Sequence, residues 1–127
     1  MDRTQQIVDG LVATGNWGDR DARLGVRANF HCEYCGRDLL ASVDDYKAWQ
    51  KDHIIPEAAG GTDGEENMAI ACSICNFRAK HKWDPRSVCG ENASRDALIQ
   101  AVRNYVANQR TGMLEDVIRF RKIVYAG

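Results

Sequence analysis

A chain of 127 residues with 44% hydrophobic and 28% charged residues has the make-up of a single globular domain and not of a disordered segment. Its 17 Lys and Arg against 18 Asp and Glu leave a formal net charge of -1, which excludes bulk attraction to a polyanion and leaves such binding to local basic clusters. No run of about 18 apolar residues is present, so no membrane span is expected. The polar start Met1-Asp2-Arg3-Thr4-Gln5-Gln6 lacks the apolar stretch of a secretory signal. A cytoplasmic location is therefore expected, a reducing compartment that disfavours disulfides.

In chain order, Ile7, Leu11 and Val12 predict a helix over residues 3–14, broken at Gly15-Asn16-Trp17-Gly18. Asp19 or Asp21 starts a second helix that runs to about Asn29 and carries Leu24 and Val26. The middle, from Phe30 to about Pro85, has short apolar stretches and frequent turn residues. Within it, residues 49–55 read as a strand, residues 59–64 as a Gly-rich loop, and Met68 to Ala71 as a second apolar stretch. Residues 73–82 contain no Gly or Pro and read as a helix ending before Asp84-Pro85. Ser94 is the predicted N-cap of a helix striped by Ala97, Leu98, Ala101, Val102, Tyr105 and Val106. Thr111-Gly112 is expected to break it, with another helix carrying Leu114, Val117, Ile118, Phe120 and Val124. Residues 1–127 are thus read as one domain: an N-terminal helical segment at 1–29, a core at 30–86 and a C-terminal helical segment at 87–127.

Five cysteines are present, four of them in two matched pairs, Cys32-Glu33-Tyr34-Cys35 and Cys72-Ser73-Ile74-Cys75. A two-residue spacing lets both thiolates of a knuckle face one centre, and two knuckles supply the four sulfurs of a tetrahedral zinc site. Disulfides would need an oxidising compartment, and an iron–sulfur cluster also takes four cysteines; structural zinc is the preferred reading. Cys89 is left over as a bystander thiol.

Between the knuckles lies Lys51-Asp52-His53-Ile54-Ile55-Pro56, followed by Gly60-Gly61, Asn67 and, after Cys75, Asn76 and Lys80. Adjacent residues on a strand point to opposite faces, so Asp52 and His53 would serve different atoms of one site. Taken singly, each has a plainer explanation as a salt-bridge partner, a turn residue or a cap. Taken together, in this order, the residues from Phe30 to Lys82 resemble the HNH endonuclease family.

That resemblance implies an α+β fold: a small ββα-metal core with zinc knuckles, flanked by N-terminal and C-terminal helices. It implies a metal-dependent endonuclease that hydrolyses DNA, leaving a 5′-phosphate and a 3′-hydroxyl. His53 would be the general base and Asn67 the residue that holds the loop and orients the histidine. Asp52 and Asn76 would bind a catalytic Mg²⁺ or Mn²⁺, and Cys32, Cys35, Cys72 and Cys75 the structural Zn²⁺. The family often has His where this chain has Asn76; an amide oxygen suits a hard ion and weakens any preference for softer metals. The alternative is a non-catalytic, zinc-dependent module that binds nucleic acid.

For DNA contact the candidates are Arg78, Lys80 and Lys82, which follow Asn76 closely. Lys80 is expected one helical turn beyond Asn76 and on its face. Arg20, Arg23 and Arg27, and likewise Arg119, Arg121 and Lys122, read as solvated faces. Trp49 and Trp83 are expected to pack, and His31 and His81 receive no role. The small net charge predicts weak, salt-sensitive DNA binding, with targeting supplied by a homodimer or a protein partner.

Overall fold

Helices at both ends of the chain hold a two-stranded hairpin between them. The computed structural model describes residues 2–126. Helix α1 (Arg3–Ala13) is capped by Asp2, whose side chain accepts from the Gln5 N–H at 2.9 Å. Helix α2 (Asp19–Arg27) packs against it. Gly25 of α2 makes room for Phe30, since a Cβ at this position would lie 2.4 Å from the ring. The short helix α3 (Val43–Lys47), capped by Ser42, leads into strand β1 (Trp49–His53). Its shortness leaves no periodic pattern in the sequence, which is why it was not expected.

Strand β1 pairs antiparallel with β2 (Met68–Cys72), in the register Trp49↔Cys72, Lys51↔Ile70 and His53↔Met68. Every residue of β2 is buried, because α2 packs on the strand and the helical turn after Cys72 folds back on it. That turn, Ile74–Lys80, is a wide helix closed by i→i+5 hydrogen bonds. A four-residue helix α4 (Arg86–Cys89), also unforeseen, precedes helix α5 (Arg95–Val124). Sheet and helices give an α+β architecture whose centre is a ββ hairpin followed by a helix.

Ser94 caps α5 by accepting from Ala97 N at 3.2 Å. The helix then buries Leu98, Ile99, Ala101, Val102 and Val106 against the core. The expected break at Thr111-Gly112 does not occur: α5 is one 30-residue helix. An isolated Gly costs a helix only about 1 kcal/mol. Thr111 stays within the helix by donating its hydroxyl to Ala107 O at 3.0 Å. The tryptophans pack as expected, Trp49 stacking on Trp17 at 5.0 Å and Trp83 on Tyr105 at 4.2 Å between ring centres. The arginines of α2 are not simply a solvated face. Arg27 donates to Glu65 O at 2.8 Å and to Met68 O, and Arg20 donates to Asp63 O, so α2 clamps the loop before β2. Among the described residues no helix is long and apolar enough to cross a membrane.

Candidate active site and zinc knuckles

The four knuckle sulfurs converge. Cys32, Cys35, Cys72 and Cys75 place their Sγ atoms within 4.8 Å of one another, and none is in a disulfide. Cys35 and Cys72 lie 3.8 Å apart, which is about the edge of a tetrahedron built on a Zn–S bond of about 2.3 Å. In each knuckle the backbone turns an N–H onto the first sulfur, Cys35 N to Cys32 Sγ at 3.4 Å and Cys75 N to Cys72 Sγ at 3.5 Å. Gly36, at φ 83°, takes the left-handed turn that closes the first knuckle. Hydrogen bonding from Cys32 pulls the exposed Cys35 thiol down to about 6. Glu33 stitches this knuckle to β2: its N–H donates to Ile70 O at 2.8 Å, and its carboxylate accepts from Ile70 N at 2.7 Å. Cys89 lies apart, donating to Ala97 O.

Alternation along β1 turns Asp52 inward and leaves His53 half-buried at an opening. The buried Asp52 carboxylate is held by two groups that reach it from different elements. The Tyr34 hydroxyl, from inside the first knuckle, donates to Oδ2 at 2.6 Å, and the Lys80 ammonium lies 3.1 Å from the same oxygen. Lys80 also donates to His53 O at 3.1 Å. Burial raises the pKa of Asp52 above the ordinary carboxylate value, against the opposing pull of Lys80 and Tyr34. Burial, with Asp52 beside it, pushes Tyr34 well above its usual range, so it remains a phenol and a donor.

Lys80 therefore departs from its expected place at the DNA phosphate. Its side chain is fully enclosed. The cause is the wide helix, in which His81 N bonds to Asn76 O at 2.8 Å. A turn that closes at five residues and not four brings His81 beneath Asn76 and rotates Lys80 inward. Arg78 and Lys82 do remain exposed, Arg78 lying over the Phe77 ring at 5.2 Å.

The His53 ring opens on a cleft of about 290 Å³ lined by Asp52, His53, Pro56, Glu57, Ala58, His81 and Lys82. His53 Nε2 lies 2.7 Å from Asp63 Oδ1 and 3.1 Å from Glu57 Oε1. The hydrogen bond with His53 holds Asp63 below the usual carboxylate range. These three side chains also bring ligand atoms within 4.8 Å of one another. Glu57 and Asp63 are not singled out by the sequence, and His81, given no role there, lines the cleft. Only the i,i+4 spacing of Glu57 from His53 gave a local sign, and Asp63 arrives by way of a loop.

Asn67 fastens that loop. Its amide donates to Ile55 O at 3.0 Å and Thr62 O at 2.8 Å, and its Oδ1 accepts from Ile55 N at 2.9 Å. Gly61 lies so close that a Cβ there would meet Ile55 O at 1.7 Å. Asn76 sits at the start of the wide helix, directly after Cys75, and its amide donates to Gln50 Oε1 at 2.8 Å. Gln50 is two residues before Asp52 on the same face of β1. The structure thus joins Asp52, His53 and Lys82 in the cleft, with Lys80 beneath it; Asn76 is not among the residues that line it, and its side chain is turned to Gln50.

Residues 32–82 match the family model described as HNH endonuclease. No curated protein and no solved structure gives a significant match.

Proposed function

We propose, from the match of residues 32–82 to the HNH endonuclease model, that this chain hydrolyses DNA phosphodiester bonds with His53 as general base. The family match supports a nuclease-type, nucleic-acid-related function. The observation that carries the finer reading is an imidazole open to a solvent cleft beside a buried, doubly held carboxylate. Asp63 and Glu57 on Nε2 favour the tautomer protonated there, so Nδ1 keeps the lone pair that takes a proton from the attacking water. Asn67 holds the loop that carries these partners. Residues 1–29 and 87–127 act as helical supports of one domain whose catalytic core is 30–86.

The residues fit the two metals that the family implies. The four converging sulfurs would hold a zinc ion with no position left for water, so such an ion would be structural. Asp52 and Asn76 offer hard oxygens from β1 and the wide helix, and would hold a Mg²⁺ or Mn²⁺ ion. Such an ion supplies charge stabilisation to the phosphate and to the leaving oxygen. Tyr34 and Lys80 hold Asp52 Oδ2 and so fix the carboxylate plane in advance. Fixing Cys75 fixes its neighbour Asn76, which makes zinc a support for the catalytic group. Arg78 and Lys82 are the groups left to contact DNA.

A second reading is a zinc-stabilised module that binds nucleic acid without cutting it. The Lys80 ammonium, already neutralising Asp52, favours it. Supercoiled-plasmid nicking with Mg²⁺ and with Mn²⁺ separates the two. The expected result is nicking that EDTA, Asp52→Asn and Asn76→Ala each abolish while a gel-shift assay still detects binding. Retained binding with no nicking under either metal would establish the second reading.

A further inference from the structure

The four sulfurs of the knuckle cluster are not equivalent. Cys32, Cys72 and Cys75 are buried, whereas Cys35 is exposed. The buried three also accept hydrogen bonds: Cys32 Sγ from Cys35 N, Cys72 Sγ from Cys75 N, and Cys75 Sγ from the Arg110 guanidinium at 3.8 Å. A donor on a ligand sulfur draws off the electron density that nucleophilic attack needs, and burial bars a reagent from the sulfur altogether. Cys35 is the corner of the cluster that solvent reaches. We propose that Cys35 is a site of reversible oxidation by a peroxide, with Cys72 as the thiol that resolves it.

A thiol that coordinates zinc is held deprotonated, so Cys35 presents a thiolate at neutral pH. With hydrogen peroxide, the Cys35 sulfur attacks one oxygen, the O–O bond breaks, and a sulfenic acid forms as hydroxide leaves. Cys72 Sγ lies 3.8 Å from Cys35 Sγ. The Cys72 thiolate then attacks the Cys35 sulfur, the S–O bond breaks, and a second hydroxide departs as the disulfide forms. Two thiolates have together given two electrons to one peroxide. Cys32 and Cys75 are left, too few to complete a four-sulfur zinc shell. The consequence reaches the cleft side of the fold, because Cys72 ends β2 and Cys75 precedes Asn76 in the wide helix. Oxidation thus removes the anchor that fixes Asn76, and a dithiol with added zinc restores it. The modification stands without the nuclease reading; only the loss of cleavage that would accompany it rests on that reading. Cys89 is an internal comparison, a half-buried thiol outside the cluster that donates to Ala97 O.

Treating the zinc-loaded full chain with hydrogen peroxide tests the proposal, read by zinc transfer to a colorimetric chelator and by non-reducing peptide mapping. One zinc should be released for each Cys35–Cys72 disulfide formed, and dithiothreitol with added zinc should reverse both. Brief exposure with dimedone, which traps sulfenic acids, should label Cys35 before Cys32, Cys72 or Cys75. In Cys35→His, which keeps a zinc ligand but removes the thiol, release should slow by roughly tenfold or more. Should that variant fail to load zinc, mapping of the parent chain still decides. A first label on a buried sulfur of the cluster, or a Cys32–Cys35 link in place of Cys35–Cys72, would overturn the proposal. So would zinc retained with oxidation absent or confined to Cys89, or release from Cys35→His at the parent rate.

Discussion

Asp52 lies where three parts of the chain meet: strand β1, the Tyr34 hydroxyl from the first knuckle, and the Lys80 ammonium from the wide helix. Removing one partner of a buried ion pair leaves the other charge uncompensated, at a cost of roughly 3–5 kcal/mol. Lys80→Met should lower stability in urea by about that amount, and adding Asp52→Asn should recover part of the loss. A Lys80→Met effect below about 1 kcal/mol would mean that the pair is not buried as described. A second residue-scale prediction concerns acid. Hydrogen bonding from Arg86 holds Asp84 below the ordinary carboxylate value. A depressed carboxylate stabilises the fold above its unfolded pKa and ceases to do so as pH falls through its lower folded value. Asp84→Asn should therefore be less stable than the parent at neutral pH, with the gap closing only below about pH 3.8, as measured by thermal melts across pH. The opposite faces of Asp52 and His53 were legible from strand alternation alone. The inward turn of Lys80 was not, because residue types do not announce a five-residue turn.

At the scale of elements, the zinc knuckles and the hairpin depend on each other. Glu33 bonds β2 on both its N–H and its carboxylate, while Cys72 ends β2 and Cys75 sits within the wide helix. A four-sulfur zinc site contributes on the order of 10 kcal/mol of apparent folding free energy near neutral pH. Cys72→Ser, or chelation of the metal, should therefore unfold or loosen the chain. His53→Ala should leave the melting temperature nearly unchanged, and calorimetry showing the reverse ranking would exchange the structural and catalytic sites. The spacing of the cysteines alone makes this frame legible in the sequence. Helix boundaries were less readable. Gly112 looked like a terminus, but the residues on either side of it continue one apolar row, and that continuity outweighed a single glycine.

For the whole molecule, sequence order and spatial order part company at the cleft. Asp52, His53, Asn67 and Asn76 could be picked out by type and spacing. Asp63 reaches His53 only because Asn67 and Gly61 close the loop between the strands, and such closure is a tertiary event. The formal net charge of -1 gives no bulk attraction to DNA, so on the proposed reading binding would rest on a few exposed groups such as Arg78 and Lys82 and should be weak.

Single-turnover cleavage of a DNA duplex at saturating Mn²⁺ tests whether His53 takes the proton of the attacking water. His53→Ala, folded and zinc-loaded to the same extent as the parent, should cut roughly 10²–10⁴-fold more slowly while binding the duplex equally well. Equal cleavage rates in the two proteins would contradict the assignment.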